Sequence, residues 1–130
     1  MAAENVEAVK AAYDAFGRGD LEALSALFAD DAVWVTSDAL PLGGTTSGRE
    51  AIIGNFAQIP NYWSAFAVKP EEFLDAGDYV VVRGTQTGTG EGGSFEAPFA
   101  HLLKVSDGKL TRGEFYADSA KALAALGSKA

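Results

Sequence analysis

The sequence predicts an α+β fold in which helices come first and an antiparallel sheet follows. Between Val6 and Phe16, apolar residues recur at helical spacing, with charged residues on the opposite side. From Phe66 onward, segments rich in β-branched and aromatic residues are separated by short turn sequences. Helices that precede a run of strands, rather than alternate with them, are typical of α+β proteins.

The first third of the chain predicts two helices and a strand. Gly17-Arg18-Gly19 ends the first helix, because glycine readily takes the left-handed conformation of a helix C-terminus. Asp20 can cap the next helix, which carries apolar residues from Leu21 to Phe28 and ends at Asp30-Asp31. Ala32 to Thr36 then predicts a strand, because it is rich in β-branched and aromatic side chains.

The middle of the chain predicts a long loop and a short helix. Residues 37–48 are rich in Asp, Pro, Gly, Thr and Ser, which indicates a loop. Ser47 can cap a helix that begins near Gly48-Arg49-Glu50 and ends at Ile59-Pro60. Asn61-Tyr62-Trp63 follow as an aromatic loop or a last helical turn.

The second half predicts an antiparallel meander closed by a helix. Ser106-Asp107-Gly108 suits a tight hairpin turn. Gly88–Gly93 is interpreted as a mobile hairpin tip, because it opens no helix and lacks the lysine of a phosphate-binding loop. Val80-Val81-Val82 is apolar at successive positions, so both faces of its strand need cover, and a homodimer partner is one source of that cover. The predicted strands and the final helix span Phe66–Phe73, Tyr79–Thr89, Ser94–Val105, Lys109–Tyr116 and Ser119–Leu126.

Composition bounds the function as well as the fold. The 130 residues predict one domain, residues 1–130, long enough to bury a core. With no cysteine and one histidine, the chain cannot form a thiolate or multi-histidine metal site, and we expect no metal and no cofactor. The net charge of −8 disfavours nucleic acid and anionic membranes as partners. No secretory signal or membrane-spanning run is visible in the sequence, so we expect a cytoplasmic protein.

A set of motifs follows a fixed order along nearly the whole chain. It comprises Ala12-Tyr13-Asp14-Ala15-Phe16, Gly19-Asp20-Leu21, Leu27-Phe28-Ala29-Asp30-Asp31-Ala32-Val33-Trp34, Ser47-Gly48-Arg49-Glu50-Ala51-Ile52, Asp75-Ala76-Gly77-Asp78-Tyr79-Val80-Val81-Val82, His101-Leu102-Leu103-Lys104-Val105, Asp107-Gly108-Lys109-Leu110 and Tyr116-x-Asp118. This ordered set resembles SnoaL-like proteins of the NTF2-like superfamily, which also contains ketosteroid isomerases, polyketide cyclases and limonene-epoxide hydrolases. The resemblance implies a cone, in which a curved antiparallel sheet wraps around the N-terminal helices and leaves an apolar pocket open at one end. It also implies a homodimer formed through the convex face of the sheet. The fold hosts many chemistries and does not by itself specify a function.

The resemblance, combined with strand alternation, predicts which side chains face the pocket. A mostly aromatic wall with a few polar groups is typical of a site for a small, largely apolar organic ligand. The alternative is that these aromatic side chains are plain core and fill the cone. The predicted ligand-binding residues are Arg83, Trp34, Thr36, Phe16, Phe56, Trp63, Thr85, Phe99 and Phe115.

His101 is the central catalytic candidate. It lies on an otherwise apolar strand face. By resemblance it occupies the position where ketosteroid isomerases place a carboxylic acid and polyketide cyclases of this family carry a histidine. A neutral imidazole there can donate a hydrogen bond to a developing enolate or accept a proton. The alternative is a buried histidine satisfied by one hydroxyl or carbonyl group.

Arg83 is predicted to orient a polar end of the ligand. Alternation places it on one face with Val81 and Thr85, and a guanidinium inside an apolar cone needs a charged or polar partner. The resemblance to limonene-epoxide hydrolases, which carry an arginine on a pocket strand, makes the same assignment. A shift of one residue in the strand would instead place Arg83 outside, beside Glu96 or Glu114.

Asp38 is the second catalytic candidate. The resemblance places Thr36 where ketosteroid isomerases have their base, and Asp38 could reach the same mouth if the loop bulges. The alternative is a solvated turn residue.

Elsewhere the matches to the family fail, because Ala12 stands where the isomerases have a tyrosine and Phe115 where the cyclases have a catalytic acid. Tyr13 is predicted to face elsewhere, since it is about 100° around the helix from Ala12.

These observations predict a small-ligand protein of the SnoaL-like family. We expect it to catalyse enolisation or isomerisation, cyclisation or hydration of a ketone- or polyketide-like substrate, with His101 and Asp38 in general acid/base roles. One alternative is a non-catalytic binding or dimerisation module. Another is a variant epoxide hydrolase, in which Asp38 or Asp118 would supply the carboxylate beside Arg83.

Overall fold

Helices cover one face of a curved six-stranded sheet. The structure is a computed structural model that describes residues 2–130, with side chains from Glu4 onward. Met1, the first residue of the N-terminal segment in which no secretory signal is visible, lies outside the described residues. The elements in chain order are α1 (Ala2–Gly17), α2 (Leu21–Ala26), β1 (Phe28–Thr36), β2 (Gly44–Ser47), α3 (Arg49–Ala57), the 3-10 turn Ile59–Asn61, β3 (Ala65–Ala76), β4 (Tyr79–Gly90), β5 (Gly93–Ser106), β6 (Lys109–Ala117), α4 (Ser119–Leu126) and the 3-10 turn Gly127–Lys129.

The sheet has the strand order β2-β1-β6-β5-β4-β3 and does not close into a barrel. Its strand pairs are antiparallel, except that β1 runs parallel to β6. Register shifts place an extra residue, Glu71, in β3 opposite β4 and another, Thr111, in β6 opposite β5, and such bulges bend strands and increase their twist. The α+β cone is confirmed, and the wholly antiparallel sheet is corrected by the β1–β6 pair.

The N-terminal helices differ from the prediction at their ends. The Asp20 cap is confirmed, because its carboxylate accepts a hydrogen bond from the backbone N–H of Ala23 at 3.0 Å. The left-handed residue is Gly19, with φ 71°, while Gly17 still belongs to α1. Helix α2 stops at Ala26 and β1 begins at Phe28, which was predicted to be helical. The reason is sheet pairing, since the carbonyl of Leu27 accepts a hydrogen bond from the N–H of Leu110 at 2.8 Å.

Strand β2 lies inside the segment predicted as a loop. Gly44–Ser47 pairs antiparallel with the end of β1, and Thr45 and Thr46 suit a strand because they are β-branched. Ser47 therefore does not cap α3. The N-cap is Gly48, with φ 96° and no side-chain hydrogen bond.

The second half follows the prediction closely. Helix α4 has the predicted bounds, and the β5–β6 hairpin turns at Asp107 and Gly108, with φ 52° and 76°, as a tight two-residue turn requires. The β4–β5 tip packs against α4, because the N–H of Gly92 donates to the carbonyl of Ala125 at 2.8 Å. The predicted mobility of this tip does not fit that contact.

The core lies between the helices and the concave face of the sheet. Val9, Leu24, Phe28, Ile52 and Leu103 are among its most buried side chains. No helix within residues 2–130 is both long and apolar enough to cross a membrane.

Glycines in the sheet make room for aromatic rings on the concave face. A Cβ on Gly113 would lie 2.3 Å from the ring of Trp34, and one on Gly84 would lie 2.8 Å from the ring of Phe99. These distances are shorter than any van der Waals contact, so the two rings rest directly on the backbone of a neighbouring strand.

Candidate functional site

A cavity of about 200 Å³ lies between the concave face of the sheet and the helices. An engineered apolar cavity of about 150 Å³ holds benzene, so this volume suits a molecule of one or two rings. The strands contribute Trp34, Thr36, Gln86, His101 and Phe115, among others. The helices and loops contribute Tyr13, Phe16, Leu40, Pro41, Leu42, Phe56, Tyr62, Trp63, Ala122 and Leu126, among others.

His101 is held in the wall of this cavity by a hydrogen bond to Tyr13. Its side chain comes from the middle of β5 and the residue is only 5% exposed. The hydroxyl of Tyr13 lies 2.7 Å from Nδ1 of the imidazole. The other ring nitrogen, Nε2, is buried and has no hydrogen-bond partner among residues 2–130. A buried polar atom without a partner is rare in native structures and is itself a candidate ligand contact.

Burial sets the protonation state of both members of this pair. It lowers the pKa of His101 to about 3, because a charged imidazolium would lose its hydration in the apolar wall. It raises the pKa of Tyr13 for the same reason, so the phenol keeps its proton. At neutral pH the pair is therefore uncharged.

Aromatic rings surround the imidazole. The ring of Trp34 stands perpendicular to it with centroids 4.9 Å apart, and the ring of Phe115 is 5.2 Å away at 81°. Tyr13 is held in turn between Phe73, at 5.9 Å, and Phe99, at 6.4 Å. The contacts with Trp34, Phe115 and Phe73 are edge-to-face and the contact between Tyr13 and Phe99 is stacked, and together they fix the ring planes of the Tyr13–His101 pair.

Tyr13 corrects one prediction made from the sequence. It was expected to face away from the pocket because it is one residue from Ala12. Both residues line the cavity. Helix α1 packs against β3 and also contacts β4 and β5, so a long side chain to either side of its inner face still meets the curved sheet.

Arg83 and Thr85 do not line the cavity, and their predicted ligand-binding role is wrong. The buried positions of β4 are Val80, Val82 and Gln86 among others, which places Arg83 on the convex face with its side chain 65% exposed. Its guanidinium pairs with Glu72 at 2.8 Å, not with either of the expected acids on neighbouring strands. Thr85 donates a hydrogen bond to Glu71 at 3.1 Å.

Asp38 does not reach the cavity either. It is exposed and absent from the lining, so the catalytic role predicted for it is not supported by its position. Asp118 does lie at the cavity, but its carboxylate caps α4 and accepts from the N–H groups of Ala120 and Lys121 at 3.1 and 3.2 Å. Of the described residues that line the cavity, Asp118 is the only one with a formal charge.

The remaining predicted residues divide into lining and support. Phe99 is buried but stands behind the lining, stacked on Phe115 at 5.1 Å, so its predicted contact with a ligand is corrected to a packing role. Those at the cavity are Trp34, Thr36, Phe16, Phe56, Trp63, Phe115 and His101, and their roles in binding remain predictions.

Gln86 is a cavity residue that the sequence prediction missed. It is buried and lines the cavity from β4, on the face opposite Arg83. Its isolated polarity between Gly84 and Gly88 was the available signal, because the two glycines mark places where rings pack on the strand. Within the described part of the chain, no group of His, Asp and Glu side chains is arranged to hold a metal ion.

The chain is similar to known families and structures over most of its length. The family described as the SnoaL-like domain matches residues 9–113. None of the curated proteins matches the sequence significantly.

Among solved structures, an NTF2-like protein of unknown function from Burkholderia pseudomallei is 29% identical, with a TM-score of 0.89, and the alignment covers 96% of this chain and 98% of that one. TerC, co-crystallised with polyporic acid, is 32% identical with a TM-score of 0.88 over 96% of this chain and 99% of its own. A Catenulispora acidiphila protein with a ketosteroid isomerase-like fold, in complex with trimethylamine, is 29% identical with a TM-score of 0.81 over 93% and 92%.

Proposed function

The chain belongs to the SnoaL-like domain family, and from that premise we propose that its cavity binds a small, largely apolar organic molecule through one polar contact to His101. The observation that carries the proposal is the unpartnered Nε2 of His101, because this polar atom is buried in the wall of an otherwise aromatic cavity. Apolar walls with a small number of placed polar groups, such as His101 and Gln86 here, are the usual design of a small-molecule site. Two similar proteins have been crystallised with small organic molecules, polyporic acid and trimethylamine, which supports small-molecule binding by this fold.

The charge and volume of the cavity narrow the class of ligand. A charged ligand would lose its hydration without meeting an opposite charge near His101, since Asp118 is the only charged side chain among the described lining residues. A volume of about 200 Å³ suits one or two rings rather than a four-ring steroid. Neutral monocyclic or bicyclic compounds fit best.

The binding proposal is tested by filling the cavity from α4. Ala122 is buried and lines the cavity, so Ala122→Leu places extra atoms inside it. Ala120→Leu makes the same change on the exposed side of the same helix and serves as the matched control. Trp34 and Trp63 both line the cavity, so binding of acetophenone is read from tryptophan fluorescence.

We expect acetophenone to quench the fluorescence of the wild type and of Ala120→Leu, and to lose its effect on Ala122→Leu. Circular dichroism of each variant verifies that the fold is retained. Equal quenching of all three proteins would contradict binding in this cavity.

The same site supports a second candidate function, enolisation of a bound ketone. A base removes a proton from the carbon beside the carbonyl, the C–H electron pair forms the C=C bond, and the carbonyl π pair moves to the oxygen. A hydrogen-bond donor in a water-poor site stabilises that oxygen, and His101 is the group placed to supply it. The carboxylate at the cavity that can take the proton is Asp118, because both N–H groups of the α4 cap bond its Oδ1 and leave Oδ2 as the accepting oxygen.

Exchange of ketone α-protons in deuterated water tests this second function. Acetophenone methyl protons, followed by NMR, should exchange faster with the wild type than with His101→Leu. If the protons exchange no faster with the wild type or with His101→Leu than in solvent alone, the protein does not catalyse enolisation, and non-catalytic binding is the function that remains. The epoxide hydrolase alternative loses its basis, because Arg83 pairs with Glu72 on the convex face.

We also propose that two copies associate through the convex face. Leu74, Val81 and Leu102 stand side by side in register across β3, β4 and β5, and Leu74 is 42% exposed. An apolar row on a sheet face can pack against its own symmetry mate.

Leu102→Lys would place a charge within this row, so we expect it to shift the sedimentation coefficient towards that of a monomer. Ser106→Lys at the exposed end of the same strand is the control, and identical sedimentation of both variants would contradict the proposal.

A further inference from the structure

We propose that Tyr13 fixes His101 in the tautomer that carries its proton on Nε2, so that the imidazole presents a neutral N–H donor in the cavity wall and favours ligands with a carbonyl oxygen. This inference rests on the proposed binding function and adds the identity of the selecting atom. Tyr13 is a positioning residue in this scheme, because it acts on the ligand through His101.

The tautomer follows from counting donors and acceptors. A neutral imidazole has one N–H donor and one acceptor nitrogen, and a phenol has one O–H donor. The Nδ1 atom of His101, at 2.7 Å, is the one hydrogen-bond partner of the Tyr13 hydroxyl among the described residues. If Nδ1 carried the proton and donated it to the phenol oxygen, the buried phenol proton would have no acceptor. With Tyr13 donating to Nδ1, the phenol and Nδ1 are both satisfied, and the imidazole proton is placed on Nε2. This tautomer leaves one atom of the pair without a partner, the Nε2–H donor, whereas the other tautomer leaves two, the phenol proton and the Nε2 lone pair.

This arrangement leaves the Nε2–H of His101 as a buried donor with no partner among the described residues, so a ligand at this point of the wall can pair it. The neighbours of the imidazole are the rings of Trp34 and Phe115, whose faces are weak hydrogen-bond acceptors. A ligand that brings a carbonyl oxygen to Nε2 removes the cost of an unpaired buried N–H, whereas a hydrocarbon of the same shape leaves that cost in place. A carboxylate would also accept the hydrogen bond, but it would bury a charge opposite an uncharged imidazole.

The favoured ligand class is therefore neutral carbonyl compounds of one or two rings, such as aryl ketones and small quinones. Acetophenone and α-methylstyrene form a matched pair of probes, because a CH₂ group in the second replaces the carbonyl oxygen of the first. We expect the wild type to bind acetophenone about tenfold more tightly, the equivalent of about 1.4 kcal/mol. The ratio of the two affinities reports the hydrogen bond, since apolar packing contributes to both.

Two measurements on three proteins test the proposal. The chain has a single histidine, so ¹⁵N NMR of histidine-labelled protein at neutral pH reads the tautomer of His101 without assignment. Fluorescence titration gives the affinity ratio for the two probes. The proteins are the wild type, Tyr13→Phe, and Tyr79→Phe as a control that removes a phenol hydroxyl from a residue that does not line the cavity.

We expect the Nε2–H tautomer and the tenfold ratio in the wild type and in Tyr79→Phe. In Tyr13→Phe we expect both tautomers, and because the Nε2–H form that binds the carbonyl falls to about half of the population, the ratio falls about twofold. An Nδ1–H tautomer in the wild type, or the Nε2–H tautomer alone in Tyr13→Phe, overturns the proposal. If neither probe binds the wild type, the proposed function fails and the ligand selection fails with it, while the NMR spectrum still decides whether Tyr13 fixes the tautomer.

Discussion

The buried His101 makes the stability of the fold depend on pH in a defined direction. Burial lowers the pKa of His101 from 6.5 to about 3, so the folded protein binds this proton more weakly than the unfolded chain does. Between these two values the unfolded state holds more protons, and stability falls as the pH falls. The contribution of neutral His101 is complete above the unfolded pKa and is lost progressively down to the folded one.

The size of the effect follows from the same two values. Each unit of difference in pKa is worth about 1.4 kcal/mol, so lowering the pH from about 7.5 to about 4.5 removes about 3 kcal/mol through this one residue. This is a large fraction of the stability of a typical small domain, about 5–15 kcal/mol. Tyr13 does not add to it, because burial raises the pKa of its hydroxyl above this range.

Urea unfolding of the wild type and of His101→Phe across this pH range measures the effect. The carboxylates titrate in both proteins, so the difference between their free energies of unfolding isolates the histidine. As the pH falls to about 4.5, we expect the wild type to lose about 3 kcal/mol of unfolding free energy relative to His101→Phe. A difference that stays constant with pH would refute the reasoning, and a single histidine NMR signal titrating near its ordinary pKa in the folded protein would do so directly.

Three further predictions concern packing and helix ends. Gly113→Ala pushes a methyl group into the ring of Trp34, 2.3 Å from the added Cβ, and should lower the urea unfolding free energy by about 1–3 kcal/mol; an unchanged midpoint would contradict the contact. Asp20→Ala removes the hydrogen bond to the N–H of Ala23 and should cost about 1 kcal/mol in thermal unfolding, with Asp20→Ser retaining most of it. Ile52→Ala leaves a void at a side chain that is 1% exposed and should cost about 2–5 kcal/mol in urea, so a loss below that range would show that the site collapses around the smaller residue.

The sequence predicted elements wherever periodicity and turn chemistry agreed. Helix α4 and the Asp107-Gly108 turn were located correctly, because an amphipathic run and a left-handed turn are local properties of the chain. Strand β2 was missed for the opposite reason. The two β-branched residues of Gly44–Ser47 are too few to stand out in a segment rich in Asp, Pro, Gly and Ser, and the strand forms by pairing with β1.

The candidate site was predicted in part. His101 was placed at the cavity by strand alternation together with the family resemblance, which chose the concave face, and the burial pattern of β5 agrees with that choice. Strand β4 gave no such signal, since Val80-Val81-Val82 is apolar on both faces, and the wrong face was chosen for Arg83. The Tyr13 contact spans 88 residues, and no local pattern reports a hydrogen bond over that separation.

Helix α4 connects the occupancy of the cavity to the attachment of the chain end. Its Ala122 and Leu126 line the cavity, while Ala125 receives the hydrogen bond from the β4–β5 tip. A ligand in contact with α4 binds only while that helix is docked, so its binding free energy also opposes detachment of the C-terminal segment. Hydrogen exchange at the N–H of Gly92, whose bond to Ala125 breaks when α4 detaches, should therefore slow as the cavities fill. The exposed β4–β5 tip becomes a reporter of an event in the interior.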